Sequence, residues 1–122
     1  MRYSDQDRLR HIKDLGSKLM RFLEDNDIDE QKLMDDQYLQ WTVTTPLYNI
    51  GEHVYCLSSE LKDQHPEIPW HKISGMRHRL IHDYADTNWS IVASTILKDV
   101  PAFLKQIETI DDPASNQQTA SE

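Results

Sequence analysis

The chain has 122 residues, 38% of them hydrophobic and 28% charged, with a formal net charge of −8. This is the size of one domain with a real core and the composition of an ordinary soluble protein. It excludes a protein that coats long nucleic acids, which needs clustered Lys and Arg, and a membrane span, which needs about 20 apolar residues in a row.

The opening segment, "MRYSDQDRLRHIKDLG", is too polar to read as a secretory signal, so a cytoplasmic location is expected. Ser4 with Asp7 three residues on resembles a capping box and starts a helix expected over residues 5–23. Leu9, Ile12, Leu19 and Leu23 form its apolar stripe. Asp29 can cap a short turn reaching Leu33. A second long helix carries Leu39, Val43, Leu47, Ile50, Val54, Leu57 and Leu61, spaced by threes and fours as a buried seam. Pro46 interrupts it and predicts a kink or break near Thr44. The lone Cys56 has no partner for a disulfide and reads as a small buried residue of that seam.

"DQHPEIPW" reads as a loop, because each proline biases the residue before it away from helix. A third helix opens at Pro69 or Trp70 and reaches about Tyr84, with Trp70 as a packing anchor. Asn88 can cap a fourth, with Val92, Ile96, Val100, Phe103 and Ile107 inward and a bend at Pro101. The tail "DDPASNQQTASE", residues 111–122, is polar and expected to be disordered. Residues 1–110 then form one domain. With three glycines and no alternating strand pattern, the fold class is all-α, an antiparallel bundle of four to five helices.

"GMRHRLIHDY", residues 75–84, is the chemically dense stretch. From His71 to His82 the chain carries Lys72, Arg77 and Arg79 and no acid, a local basic spot on an acidic body. Lys72 and Arg79 are therefore candidate RNA-phosphate contacts. His78 and His82, four apart, share a helix face with His71 near it, and would suit a metal. Adjacent Arg77 and Arg79 disfavour a dication, so no metal or other cofactor is assigned. Cys56, Ser58 and Ser59 lack the surroundings of a hydrolytic nucleophile. RNA cleavage without a metal needs a base for the 2′-hydroxyl, an acid for the leaving 5′-oxygen and a cation for the charged transition state. Histidine suits the first two roles and arginine the third. Arg77 and His82, five apart, diverge by about 140° on one ideal helix. They converge only if the helix ends or tightens between them, or if a second copy of the chain supplies one. A plain solvated helix face stays open at this point.

Arg77, four residues, His82, one residue, Tyr84 resembles the signature of the HEPN superfamily, specifically its HepT-like branch. The resemblance runs over about residues 5–108. Its most distinctive parts are "IGE" (residues 50–52), "HPEIPW" (65–70), "GMR", "IHDY" and the late "DVP". It implies a homodimeric bundle with two Arg–His motifs facing each other, and metal-independent cleavage of RNA. It also implies a toxin–antitoxin pair in which an MNT-type nucleotidyltransferase neutralises the toxin, in some pairs by transferring AMP to the tyrosine. Carried over by position, Arg77 and His82 are the catalytic pair and Tyr84 the possible AMP acceptor. His78, where the family most often has Asn, would assist with phosphate. Pro46 departs from the family pattern. Glu52 reads as a helix-packing or dimer-contact residue, and His11, His53 and His65 receive no role. The alternative is a non-catalytic HEPN module that binds a nucleotidyltransferase partner or a nucleotide.

Overall fold

The computed structural model describes residues 3–82 and 87–110, with His82 described as backbone only. Tyr84 and the polar tail lie outside the described residues. At Ser4 the side-chain oxygen accepts the Asp7 N–H at 3.1 Å, and the Asp7 carboxylate accepts the Ser4 N–H at 3.3 Å. This reciprocal cap starts α1, Asp5–Asp25, as the sequence predicts. Asp29 caps α2, Glu30–Asp35, through the Lys32 N–H at 2.9 Å. Asp36 then accepts the N–H groups of Tyr38 and Leu39 and starts α3, Gln37–Tyr55.

The helix does not break at Pro46; α3 runs through it. Pro46 cannot donate to the carbonyl four residues back, that of Thr42, an exposed residue. The hydroxyls of Thr42 and Thr44 bond back to the Tyr38 and Gln40 carbonyls at 2.8 and 2.6 Å, within the helix. Leu57 of the seam stays buried, but the helix itself is shorter than expected. It stops at Tyr55, and a separate α4, Ser59–Gln64, follows. Ser58 explains the break: its hydroxyl accepts the Leu61 N–H at 3.1 Å as the cap of α4. The Asp5 carboxylate holds the Ser58 N–H and hydroxyl at 3.0 and 2.6 Å. Cys56 therefore ends a helix and is exposed, correcting its reading as a buried residue.

The proline loop leads into α5, Trp70–His82. Trp70 anchors it as expected, donating its indole N–H to the His65 carbonyl at 3.0 Å and packing edge-on to Phe103. Asn88 caps α6, Trp89–Ser94, which continues through a π-helical turn, Thr95–Asp99, into α7, Val100–Glu108. In this wider turn, just before the bend expected at Pro101, the Val100 N–H reaches back to the Thr95 carbonyl.

These helices enclose one core. Ile12 and Leu19 of α1, Val43, Leu47, Ile50 and Val54 of α3, and Ile73 and Leu80 of α5 are buried in it, with Ile96, Phe103 and Ile107. Leu39 and Leu61 are only half-buried at its edge. The central α3 packs against both α1 and α5. Among the described residues there is no strand, and no described helix is long and apolar enough to cross a membrane. The protein is an all-α bundle.

Candidate active site

The site starts from a glycine. A Cβ built on Gly51 would lie 3.2 Å from both the Ile73 carbonyl oxygen and the Arg77 backbone nitrogen. The absence of a side chain there lets α3 and α5 approach backbone to backbone, and sets Arg77 beside the outer face of α3.

Two residues of that face hold it. Glu52 Oε1 lies 3.6 Å from Arg77 Nη1, and the Tyr55 ring lies under the guanidinium, 3.7 Å from its centroid. The Arg77 side chain keeps 30% of its surface exposed and Glu52 40%. A planar cation is thus held by a ring on one side and a carboxylate at its edge, with part of its fork still facing solvent. A phosphate oxygen can reach that fork. Glu52 also lies 3.8 Å from the Cys56 sulfur through its other oxygen.

The other sequence candidates are spread around α5. His78 is exposed next to Arg77. Lys72 pairs with Asp99 at 3.4 Å, and its side chain is 58% exposed. Arg79 is half-buried, its Nε enclosed without a hydrogen-bond partner, while its carbonyl accepts the Thr87 hydroxyl at 3.2 Å. Arg79 stands about 200° around the helix from Arg77, so the three basic residues do not form one patch. The α5 backbone stays helical through His82. Positions 77 and 82 therefore point about 140° apart, and the option that the helix ends or tightens between them is removed.

The family model for the ribonuclease HepT-like proteins matches residues 7–110. The chain belongs to the HepT-like family. A "Putative RNase" of Caldanaerobacter subterraneus subsp. tengcongensis is 37% identical over 83 residues, covering 68% of this chain and 74% of that one. The "Probable ribonuclease HepT" of Thermococcus cleftensis is 28% identical over 110 residues, covering 90% of this chain and 98% of its own. A further "Putative RNase", from Methanocaldococcus jannaschii, is 26% identical over 106 residues, covering 83% and 91%. No solved structure matches the chain.

In this HepT-like chain, the sequence pointed to Arg77 but underrated what grips it. The sequence suggests a helix-packing or dimer-contact role for Glu52 and none for Tyr55. The available signal was Gly51, whose close approach brings positions 52 and 55 to α5. Nor does the sequence give His11 and His53 a role. Their rings stack 5.1 Å apart at an interplanar angle of 4°, beside Tyr3 and Arg8.

Proposed function

We propose that the protein is a metal-independent endoribonuclease whose working site forms between two copies of the chain. One observation carries the reading: Arg77 is held with part of its fork open, on a helix that stays regular through His82. Positions 77 and 82 of one chain then fall on different sides of the helix, and a second copy supplies the missing partner. The family match and the names of the relatives support RNA as the substrate.

In the proposed reaction a histidine takes the proton of the ribose 2′-hydroxyl, and the oxygen attacks the adjacent phosphorus. The bond to the 5′-oxygen breaks, and a second acid, His82 of the other copy, gives that oxygen a proton. The products are a 2′,3′-cyclic phosphate and a 5′-hydroxyl. Arg77 neutralises the charge on the non-bridging oxygens at its greatest, in the phosphorane, and so acts on the transition state more than on the bound substrate. His78, exposed beside Arg77, assists with a neighbouring phosphate. Lys72 and Arg79 have weaker cases as RNA contacts, the first because it is ion-paired and the second because it is half-buried.

The toxin role, the nucleotidyltransferase antitoxin and AMP transfer to Tyr84 extend this proposal and are supported by the resemblance to HepT-like toxins. Substitution His82→Ala tests the centre of the reading. In the presence of EDTA the parent is expected to cut single-stranded RNA to products ending in 2′,3′-cyclic phosphate. The variant, equally helical by circular dichroism, is expected to lose at least about a hundredfold in rate, as for loss of a general acid or base. Parental cutting by the variant would remove His82 from the chemistry. No cutting by the parent on any RNA would favour a non-catalytic module that binds a nucleotidyltransferase.

A further inference from the structure

Beside α3, away from Arg77, three side chains from the start of the chain, Tyr3, Arg8 and His11, meet His53. Arg8 Nη1 donates to His53 Nδ1 at 3.2 Å, and the Arg8 guanidinium lies 5.5 Å from the centre of the Tyr3 ring. Tyr3 stands edge-on to His11 at 5.0 Å and to His53 at 5.8 Å, while the two imidazoles stack face to face. Tyr3 and His11 are exposed; Arg8 and His53 are half-buried. In a chain with 21 acidic side chains against 13 Lys and Arg, no carboxylate among the described residues lies within ion-pair distance of Arg8. Basic nitrogens and a partly exposed tyrosine ring are therefore gathered where the chain could have placed a counter-ion and did not.

We infer that Tyr3, Arg8, His11 and His53 form a second RNA subsite, which takes a phosphodiester of the strand on Arg8 and the two histidines and a base against Tyr3. The inference rests on the ribonuclease reading for the identity of its ligand. Position supports it. His53 follows Glu52, so the cluster and the Arg77 site flank the exposed face of α3, about 100° apart around the helix. A strand crossing that face meets a guanidinium on each side. Arginine grips phosphate with two donors, and bases stack on aromatic rings without regard to sequence, so such a subsite adds affinity without base choice.

Charge linkage agrees. Burial, then the neighbouring charges of His11 and Arg8, hold His53 below its ordinary pKa, and Glu52 opposes them. The neutral ring accepts from Arg8, as the geometry requires. The charged and titratable groups facing the cluster are Arg8, His11 and Asp7 of α1, Glu52 and His53 of α3, and the Tyr3 hydroxyl; Asp7 is already engaged by Ser4 and Arg10. A bound phosphate adds negative charge beside His53 and favours its protonated form. RNA binding is thus expected to tighten as pH falls through the range below the ordinary histidine value of about 6.5.

The test uses the full chain and a 2′-O-methyl RNA oligonucleotide, which lacks the attacking hydroxyl and cannot be cut. Arg8→Gln is expected to weaken binding about three- to tenfold and to make the slope of log K against log salt shallower by about 0.7, the loss of one phosphate contact on a single strand. Arg8→Lys is expected to keep most of the affinity. The His11 and His53 ring resonances should move on adding the oligonucleotide to the parent. With cleavable RNA, Arg8→Gln should raise KM for a long strand, leaving kcat and the cleavage of a dinucleotide unchanged. A folded Arg8→Gln protein that binds the oligonucleotide with parental affinity and salt slope overturns the subsite, even if cleavage is intact. Ring resonances that respond to inorganic phosphate alone, with oligonucleotide binding indifferent to Arg8, overturn the assignment to RNA. A parent that cuts no RNA but binds it through Arg8 sinks the ribonuclease reading and leaves the subsite standing.

Discussion

Arg77 carries its charge between two neighbours of opposite consequence. Tyr55 offers a ring face that favours the cation and leaves its donors open, whereas Glu52 offers an anion that competes with phosphate for the same donors. At their exposure the Arg77–Glu52 pair contributes only about 0–1 kcal/mol to stability, so Glu52 is easily displaced and little is lost without it. Substituting Glu52→Gln keeps the shape and removes the competing charge. The expected result is a KM for RNA lowered about two- to fivefold, with kcat within about threefold of the parent, since one pair of this kind is worth about 1 kcal/mol. A hundredfold fall in kcat would instead make Glu52 a proton carrier and overturn this account. The histidines of the second cluster illustrate the limit of reading residues singly. His11 and His53 are unremarkable in sequence, and only the packing of α1 on α3 stacks their rings.

The contact between α3 and α5 is the element that the site depends on, and Gly51 is its narrowest point. In Gly51→Ala the new methyl meets backbone atoms of α5, which cannot rotate aside as a side-chain end could. Better helix propensity gains about 1 kcal/mol, while overpacking costs about 1–3 kcal/mol, so net destabilisation near 1 kcal/mol is expected. The melting temperature should fall about 4–8 °C, and the displaced Arg77 should lower kcat more than it changes KM. An unchanged Tm with parental kinetics would mean that α5 yields without disturbing the site. Elements whose signals are local were legible in the sequence. The caps at Ser4, Asp29 and Asn88, the anchor Trp70 and the seam from Val43 to Val54 follow from neighbours within a few residues. The break after Tyr55 was not legible, because it is fixed by Asp5, 53 positions away, gripping Ser58. Nor was the uninterrupted passage through Pro46, which local rules argue against.

At the scale of the whole molecule, the proposed site stands or falls with pairing of two chains. The bundle leaves large apolar side chains uncovered: Tyr55 of α3, whose ring meets Arg77, is 56% exposed, Ile81 of α5 is 53% exposed, and Trp41, farther along α3, is 50% exposed. Trp41, Tyr48 and Tyr55 recur every seven residues and so fall on one helical stripe, a natural centre for an interface. A stable pair would need to bury about 1,200–2,000 Å² in total, more than the arginine site alone provides. Each chain carries −8, so two copies repel each other, and added salt screens that repulsion within about 10 Å at 0.1 M. RNA binding responds the other way, because salt weakens phosphate contacts. The parent is therefore expected to be a dimer by light scattering, with association strengthened by salt while its KM for RNA rises. Trp41→Asp should shift it to monomer without loss of helix, and specific activity should fall in step with the dimer fraction as either protein is diluted. A monomeric variant that cleaves RNA at the parental rate would place the arginine and its histidine in one chain, against the divergence that a helix unbroken through His82 imposes.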